Sequence, residues 1–170
     1  MSFDTAFDRM ILNEGGYQLT NVQGDRGGQT YAGIARKFHP GWFGWRYIDN
    51  NDLDNLELSK AVREFYRDEF WDKVSGDAIA KPAIAESIFD FAVNAGVSTA
   101  IKLAQIVVGA VPDGRIGPAT LAKLNDIDEA TFVLKYALAK VARYAQICNK
   151  DRTQSKFLLG WLNRTLKGLA

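Results

Sequence analysis

Apolar residues recur every three or four positions along most of this chain, and the main interruption lies close to its beginning. Phe3, Phe7, Met10 and Ile11 share one face of a helix, with Ser2 or Asp4 as its cap and Gly15 as its stop, which puts Glu14 at the last turn. From Tyr17 to Ile34 the helical period is lost and Gly24, Gly27 and Gly28 punctuate the chain. Here Tyr17-Gln18-Leu19-Thr20 and Thr30-Tyr31-Ala32-Gly33 predict two short paired strands. An aromatic loop follows, Pro40 to Tyr47, and the helical period returns from about Ser59 through Trp71.

The remainder predicts helix after helix. Pro82 suits a first turn, and the helix it opens buries Ile84, Ile88, Phe89 and Phe91 before stopping near Asn94-Ala95-Gly96. Ser98 is the expected cap of the next helix, which carries Ile101, Ala104, Gln105 and Val108 up to Gly109. Asp113 to Pro118 reads as a turn, with Pro118 starting a short helix through Leu124. Asp126 and Glu129 have the spacing of a capping box ahead of a long helix toward Asn149, and a last helix spans about Ser155 to Leu166. Strands and helices do not alternate, so the expected class is mainly α with a small β-hairpin or irregular β segment near residues 17–34.

Composition narrows the options. A chain of 170 residues, 47% hydrophobic, supplies one sizeable core, so a single domain over residues 1–170 is expected. With 21 basic and 20 acidic side chains, charge offers nothing to nucleic acid. Cys148 is the only cysteine, which rules out an internal disulfide. The only histidine is His39, and with one distant thiol it makes no metal-ligand set, so no metal or cofactor is expected. No run of about 18 apolar residues predicts a membrane span, and the acidic start, with Asp4 and Asp8, lacks the basic flank and apolar run of a secretory signal. The expectation is synthesis in the cytoplasm, with release by some other route if the substrate lies outside.

Glu14 and Asp25 are the candidate chemistry. A carboxyl group at the carbonyl end of a helix faces the negative end of the macrodipole, which favours its protonated form. Asp25, in the glycine-rich run Asp25-Arg26-Gly27-Gly28-Gln29-Thr30-Tyr31, is expected to accept backbone N–H bonds that keep it ionised. One protonated and one charged carboxyl group is the division of labour that glycosidic bond cleavage requires; their separation then sets the outcome, about 5–5.5 Å for retention and 6.5–9.5 Å for inversion. Asp25 can stabilise positive charge on the sugar, activate water, or simply shape its loop. Thr30 adds a hydroxyl to orient water or sugar. Tyr31 and Asn94 are the candidate substrate contacts; Asn94 lies four residues after Asp90 on one helix face, a spacing that equally suits a buried polar pair. The rings from Trp42 to Tyr47 read first as packing and second as a surface for stacking on sugar.

Four segments together carry a resemblance: Ile11 to Tyr17, Asp25 to Ile34, Phe65 to Trp71, and Phe89 to Gly96. In this order they resemble the glycoside hydrolase family 108 muramidases, a group that includes phage and prophage endolysins. The segment Val111 to Leu121 resembles the predicted peptidoglycan-binding region that accompanies them. The resemblance implies a lysozyme-like helical fold, with a catalytic segment over 1–95 and the binding segment over 96–166. It also implies cleavage of the β-1,4 bond between N-acetylmuramic acid and N-acetylglucosamine, with Glu14 as catalytic acid and glycan strands as partner. The implied setting is a monomer that reaches the wall through a holin or a dedicated route. Two rival functions fit the same residues: a lytic transglycosylase, which closes a 1,6-anhydro ring, and a non-catalytic wall-binding or secretion-accessory protein.

Overall fold

In a computed structural model of the chain, which describes residues 3–13, 15–21 and 28–169, eight α-helices accompany one three-stranded antiparallel sheet. The fold is therefore mainly α with a small β element, as the patterning predicts. It divides into two units, Met1–Trp71 and Asp72–Ala170.

The first unit opens with α1, Phe3–Asn13, which buries Phe3, Ala6, Phe7, Met10 and Ile11. Its end is closed by two glycines in the left-handed region, Gly15 at φ 90° and Gly16 at φ 76°. The Gly15 N–H donates to Leu12 O at 3.3 Å and the Gly16 N–H to Ile11 O at 2.8 Å, the paired bonds of a Schellman motif. That is why the helix stops where the Gly-Gly pair predicts. The expected cap Ser2, the catalytic candidate Glu14, and Asp25 with most of its turn lie outside the described residues.

Three strands follow: β1 (Leu19–Asn21), β2 (Gln29–Tyr31) and β3 (Ile34–Ala35), in the order β1-β2-β3. Leu19 pairs with Tyr31 and Thr20 with Thr30, the pairing expected, and Tyr31 pairs onward with Ile34. The third strand was not expected. It exists because Ala32 (φ 48°) and Gly33 (φ 81°) turn the chain within two residues, both at positive φ as a tight hairpin requires. Alanine resists that conformation, and two bonds hold it there: the Ala32 N–H donates to Gln18 O at 3.1 Å, and the buried Tyr66 hydroxyl donates to Ala32 O at 2.9 Å.

After the short α2 (Trp45–Asp49) comes α3, Leu56–Tyr66. It starts three residues before the expected Ser59 because Asn55 is its cap, with the Asn55 Oδ1 accepting from the Glu57 N–H. Arg63 on α3 reaches Asp4 at 2.7 Å and Asp8 at 2.8 Å on α1 while lying 4.4 Å over the Phe7 ring, so one guanidinium ties the two helices together. Past Tyr66 the helix widens into a π turn, Arg67–Trp71, which buries Trp71 against Phe3 with ring centres 5.6 Å apart.

The second unit comprises α4 (Pro82–Ala95), α5 (Val97–Val107), α6 (Pro118–Asp126), α7 (Glu129–Lys150) and α8 (Ser155–Lys167). Its interior is Ile84, Ile88, Phe89, Phe91, Ile101, Leu124, Phe132 and Tyr136, all fully or almost fully buried. Burial of each such side chain contributes roughly 1.5–3 kcal/mol. Two capping expectations are corrected. Ser98 lies inside α5, and the cap position is Gly96, which ends α4 through its N–H to Ala92 O (2.9 Å) and receives the Ala100 N–H on its own carbonyl (3.0 Å). Asp126 closes α6, so the cap of α7 is Asp128, whose Oδ1 accepts from the Thr131 N–H at 2.8 Å. Glu129 Oε1 instead accepts the Ala83 N–H at 2.9 Å, supplying α4 with the acceptor that its own Lys81 cap cannot.

Among the described residues, no helix is long and apolar enough to cross a membrane.

Candidate functional site

Two of the expected site residues sit on the central strand β2. Alternation along a strand sends Thr30 to one face of the sheet and Tyr31 to the other. Thr30 is half-buried, and its carbonyl accepts from the Thr20 hydroxyl at 3.5 Å, the outer limit of such a bond. Tyr31 is 3% exposed, with its ring 6.5 Å from that of Tyr17 and stacked 6.4 Å from that of Trp42. Burial raises the pKa of the Tyr31 phenol, with the Tyr17 and Asp54 charges adding to the effect. It is a neutral, anchored ring. The strand is fixed from its far end as well: Arg36 Nη1 donates to Gln29 Oε1 at 2.7 Å, and the guanidinium forms a two-pronged pair with Asp49 at 2.6 and 2.7 Å. The hydrogen bond from Arg36 lowers the pKa of the Asp49 carboxyl.

Beyond Tyr31 the rings continue. Trp42 meets Trp45 edge-on at 5.1 Å and Phe65 at 6.2 Å, and its indole N–H donates to Ala61 O at 3.3 Å. Gly44 is buried beneath that indole: a Cβ there would lie 2.2–2.6 Å from three of its ring carbons, so only glycine fits. Together these contacts make Trp42 one wall of a groove of about 420 Å³, lined also by Phe43, Ala61, Glu64, Phe65, Asp68 and Glu69. The aromatic loop is divided between core and surface. Trp45 is core at 3% exposure, while Trp42 and Phe43 keep accessible surface.

Glu64, Asp68 and Glu69 had no place among the sequence candidates. Their helical spacing puts them on one face of α3 and its π turn, a pattern visible in the sequence. What sequence could not supply was the loop wall opposite, contributed by residues some twenty positions earlier.

Asn94 lies in the second unit, on the exposed side of α4 near its end. With its amide oxygen turned toward α8, it accepts from Arg164 Nε at 3.1 Å and Nη1 at 3.0 Å. Arg164 Nη2 also donates to Asp90 Oδ1 at 3.2 Å. The Asp90 and Asn94 pair, four apart on α4, is therefore bridged by one guanidinium, and it is not the buried pair that the spacing suggested, since Asn94 is exposed. Lys140 lies beside it, 7% exposed, with its ammonium 5.1 Å from the Phe91 ring centre and 4.7 Å from that of Tyr136. Desolvation lowers its pKa to about 8, opposed by the Asp90 charge.

The turn before α6 is pinned from inside. Gln105 is fully buried and its Nε2 donates to Asp113 Oδ1 (2.8 Å), Arg115 O (2.9 Å) and Thr120 Oγ1 (3.2 Å), while its Oε1 accepts the Gly114 N–H (2.9 Å). The hydrogen bond from Gln105 lowers the pKa of the Asp113 carboxyl. This turn is a rigid exposed corner, held by a side chain that periodicity alone had marked only as a helix position.

Comparison with known proteins adds the following. Residues 7–96 match the family model described as Glycosyl hydrolase 108, and residues 99–166 match the one described as Predicted Peptidoglycan domain. Among solved structures, SagA from Brucella abortus is similar, with a TM-score of 0.75 at 29% identity over 98% of this chain and 91% of that one. No curated protein matches.

Proposed function

The chain belongs to the glycosyl hydrolase 108 family, and on that premise we propose that it is a muramidase cutting the β-1,4 bond between N-acetylmuramic acid and N-acetylglucosamine. The coarser statement needs no proposal: a glycoside hydrolase of lysozyme-like, mainly α fold, joined to a peptidoglycan-binding region, acts on peptidoglycan. The observation that carries the finer reading is that one family match, over residues 7–96, takes in Glu14, Asp25 and Thr30 together.

In this proposal Glu14, the residue after α1, gives its proton to the glycosidic oxygen. The bond from that oxygen to the anomeric carbon breaks, its electron pair staying on the oxygen, and water supplies the new bond to the sugar. Asp25 stays charged, facing the positive charge on the ring or taking the proton of the incoming water. Thr30, held in register on β2 between β1 and β3, orients that water. Tyr31 acts by fixing the strand and supporting Trp42, since its ring is almost wholly covered. Asn94 acts as a substrate contact only through the part of its amide that Arg164 does not hold. Residues 1–95 form the catalytic segment and 96–166 bind the wall. The protein works without a cofactor, as a monomer, on the wall side of the membrane, after release through a holin or a dedicated route.

The test is clearing of purified murein by wild type, Glu14→Gln and Asp25→Asn. A general acid typically contributes 10²–10⁴-fold, so Glu14→Gln should lose at least about a hundredfold in rate; Asp25→Asn should lose a large part. Wild-type clearing by Glu14→Gln would end the proposal. Mass spectrometry of the products should show reducing-end muramic acid, and a 1,6-anhydro product would make the chain a transglycosylase instead.

A further inference from the structure

We propose that the groove between Trp42 and the face of α3 binds a primary ammonium group carried on an apolar C–H surface. In peptidoglycan that chemistry has two sources, an N-deacetylated glucosamine and the free side-chain amine of a diamino acid in the stem peptide. The inference rests on the peptidoglycan reading only for the choice of probes, and the carboxylates it turns on, Glu64 and Asp68, have no part in the proposed hydrolysis.

The shape comes first. Trp42 and Phe65 make an aromatic corner with ring centres 6.2 Å apart, and the corner is fixed: the indole is hydrogen-bonded to Ala61 O and seated on Gly44, and His39 abuts Phe65 edge-on at 4.7 Å. A flat π surface attracts both C–H groups and cations. The charge comes second. Glu64 and Asp68 stand on the groove wall four residues apart; among the described residues neither forms a side-chain hydrogen bond or a close ion pair, and the Glu64 charge acts at longer range on Lys60. Among the described bases of the same unit, Lys60 pairs with Glu57 at 2.7 Å, Arg63 with Asp4 and Asp8, and Arg36 with Asp49. Arg46 lies 3.9 Å over the Phe43 ring, so this loop already holds one cation against an aromatic face. Among the described residues, no lysine or arginine lines the groove itself. An anionic ligand, such as the lactyl group of muramic acid, is repelled there. A neutral N-acetyl sugar can donate hydrogen bonds to the two carboxylates but leaves their charge uncompensated. An ammonium group satisfies both the rings and the charge.

The experiment follows the Trp42 indole N–H by NMR in the full chain, assigned through Trp42→Phe, in wild type and in Glu14→Gln. The probes are a glucosamine tetramer, its N-acetylated counterpart, a stem tripeptide with a free side-chain amine, and the same peptide acetylated on that amine. At least one free-amine probe should shift the resonance, more weakly as salt is raised, and each acetylated partner should bind at least about tenfold less tightly, the scale of one cation–π or ion-pair contact of roughly 1–2 kcal/mol. Which free-amine probe binds identifies the source. Glu64→Gln with Asp68→Asn should lower that affinity by a similar factor while leaving clearing of amine-acetylated murein unchanged. Gly44→Ala, which displaces the indole, should abolish the shift. Equal binding of acetylated and free-amine probes, unchanged binding by the Glu64 and Asp68 double variant, or no response of Trp42 to any probe would each overturn the proposal. Because the readout is binding at Trp42, it stands or falls apart from the clearing lost with Glu14.

Discussion

Replacing Lys140 by methionine should stabilise this protein, and the gain should fade as the pH rises. The side chain is 7% exposed, and burial lowers its pKa from an ordinary 10.5 to about 8. At about 1.4 kcal/mol per tenfold change in proton affinity, that drop represents about 3 kcal/mol of folding free energy spent on keeping the charge in a dry place. Below pH 8 the lysine is charged in folded and unfolded chains alike, so the folded state bears the whole cost. Between about 8 and 10.5 the folded chain has released the proton and the unfolded chain has not; the unfolded state binds more protons, so stability rises with pH. Above 10.5 both forms are neutral and the cost is gone. Two contacts work in the other direction, because the ammonium lies over Phe91 and Tyr136, each worth about 0.5–2 kcal/mol. With each ring contact at about 0.5–1 kcal/mol, the net gain expected for Lys140→Met at pH 7 is about 1–2 kcal/mol. Urea unfolding followed by circular dichroism at pH 7, 9 and 10.5, on wild type and variant, reads the difference. NMR titration of the Lys140 ε-carbon gives the proton affinity directly. A variant less stable than wild type by more than about 1 kcal/mol at pH 7, or a lysine that titrates at its ordinary value, would refute the reasoning by showing that the rings more than offset the burial.

Three further outcomes follow from the hydrogen-bond geometry. Tyr66→Phe leaves the buried Ala32 carbonyl without its 2.9 Å donor and should cost about 1–3 kcal/mol, with clearing slowed by less than in Glu14→Gln, since Thr30 sits two residues before that carbonyl on the same hairpin. Ala32→Gly relieves a φ of 48° and should stabilise by about 1 kcal/mol, read as a rise in Tm; a fall would show that the alanine methyl contributes more through burial than its backbone loses in strain. Gln105→Leu removes four hydrogen bonds from the corner at Asp113 to Arg115 and should cost about 2–4 kcal/mol, with the Gly114 amide exchanging faster in deuterium exchange.

Where one residue type forces one backbone conformation, the sequence was easy to read. Pro82 and Gly96 bracket α4 to the residue, Pro118 starts α6, and Gly15-Gly16 ends α1. Where several residues could do the same job, the reading slipped. Asp126 and Asp128 are equally good caps on paper, and only the paths of α6 and α7 assign the role to the second. Asn55 follows a run of aspartates and asparagines, any of which could begin α3. Strand β3 was missed because its turn contains alanine, which rarely accepts a positive φ unless bonds such as those from Tyr66 and to Gln18 compel it. The site divides in the same way. Glu14, Asp25 and Thr30 form a local pattern that a sequence can put forward by itself, and the first two lie outside the described residues. The groove joins a loop to a helix twenty residues later, and no short window contains both. The hydrogen-bond partner of Asn94 is Arg164, seventy residues away.

Gly96 serves two helices at once, and it also falls where one family match ends, three residues before the next begins. A modular protein would be expected to place a loose tether at such a seam. Here the seam runs through a single cooperative interior: Tyr136 of α7 donates to Ala100 at 2.9 Å, and Phe91 of α4 packs edge-on against that same ring. Severed after residue 96, the leading piece would keep Ile84, Ile88, Phe89 and Phe91 with nothing to cover them. The boundary between the two family matches is thus no boundary in the packing, and a graft of the second match onto another protein must begin upstream of α4.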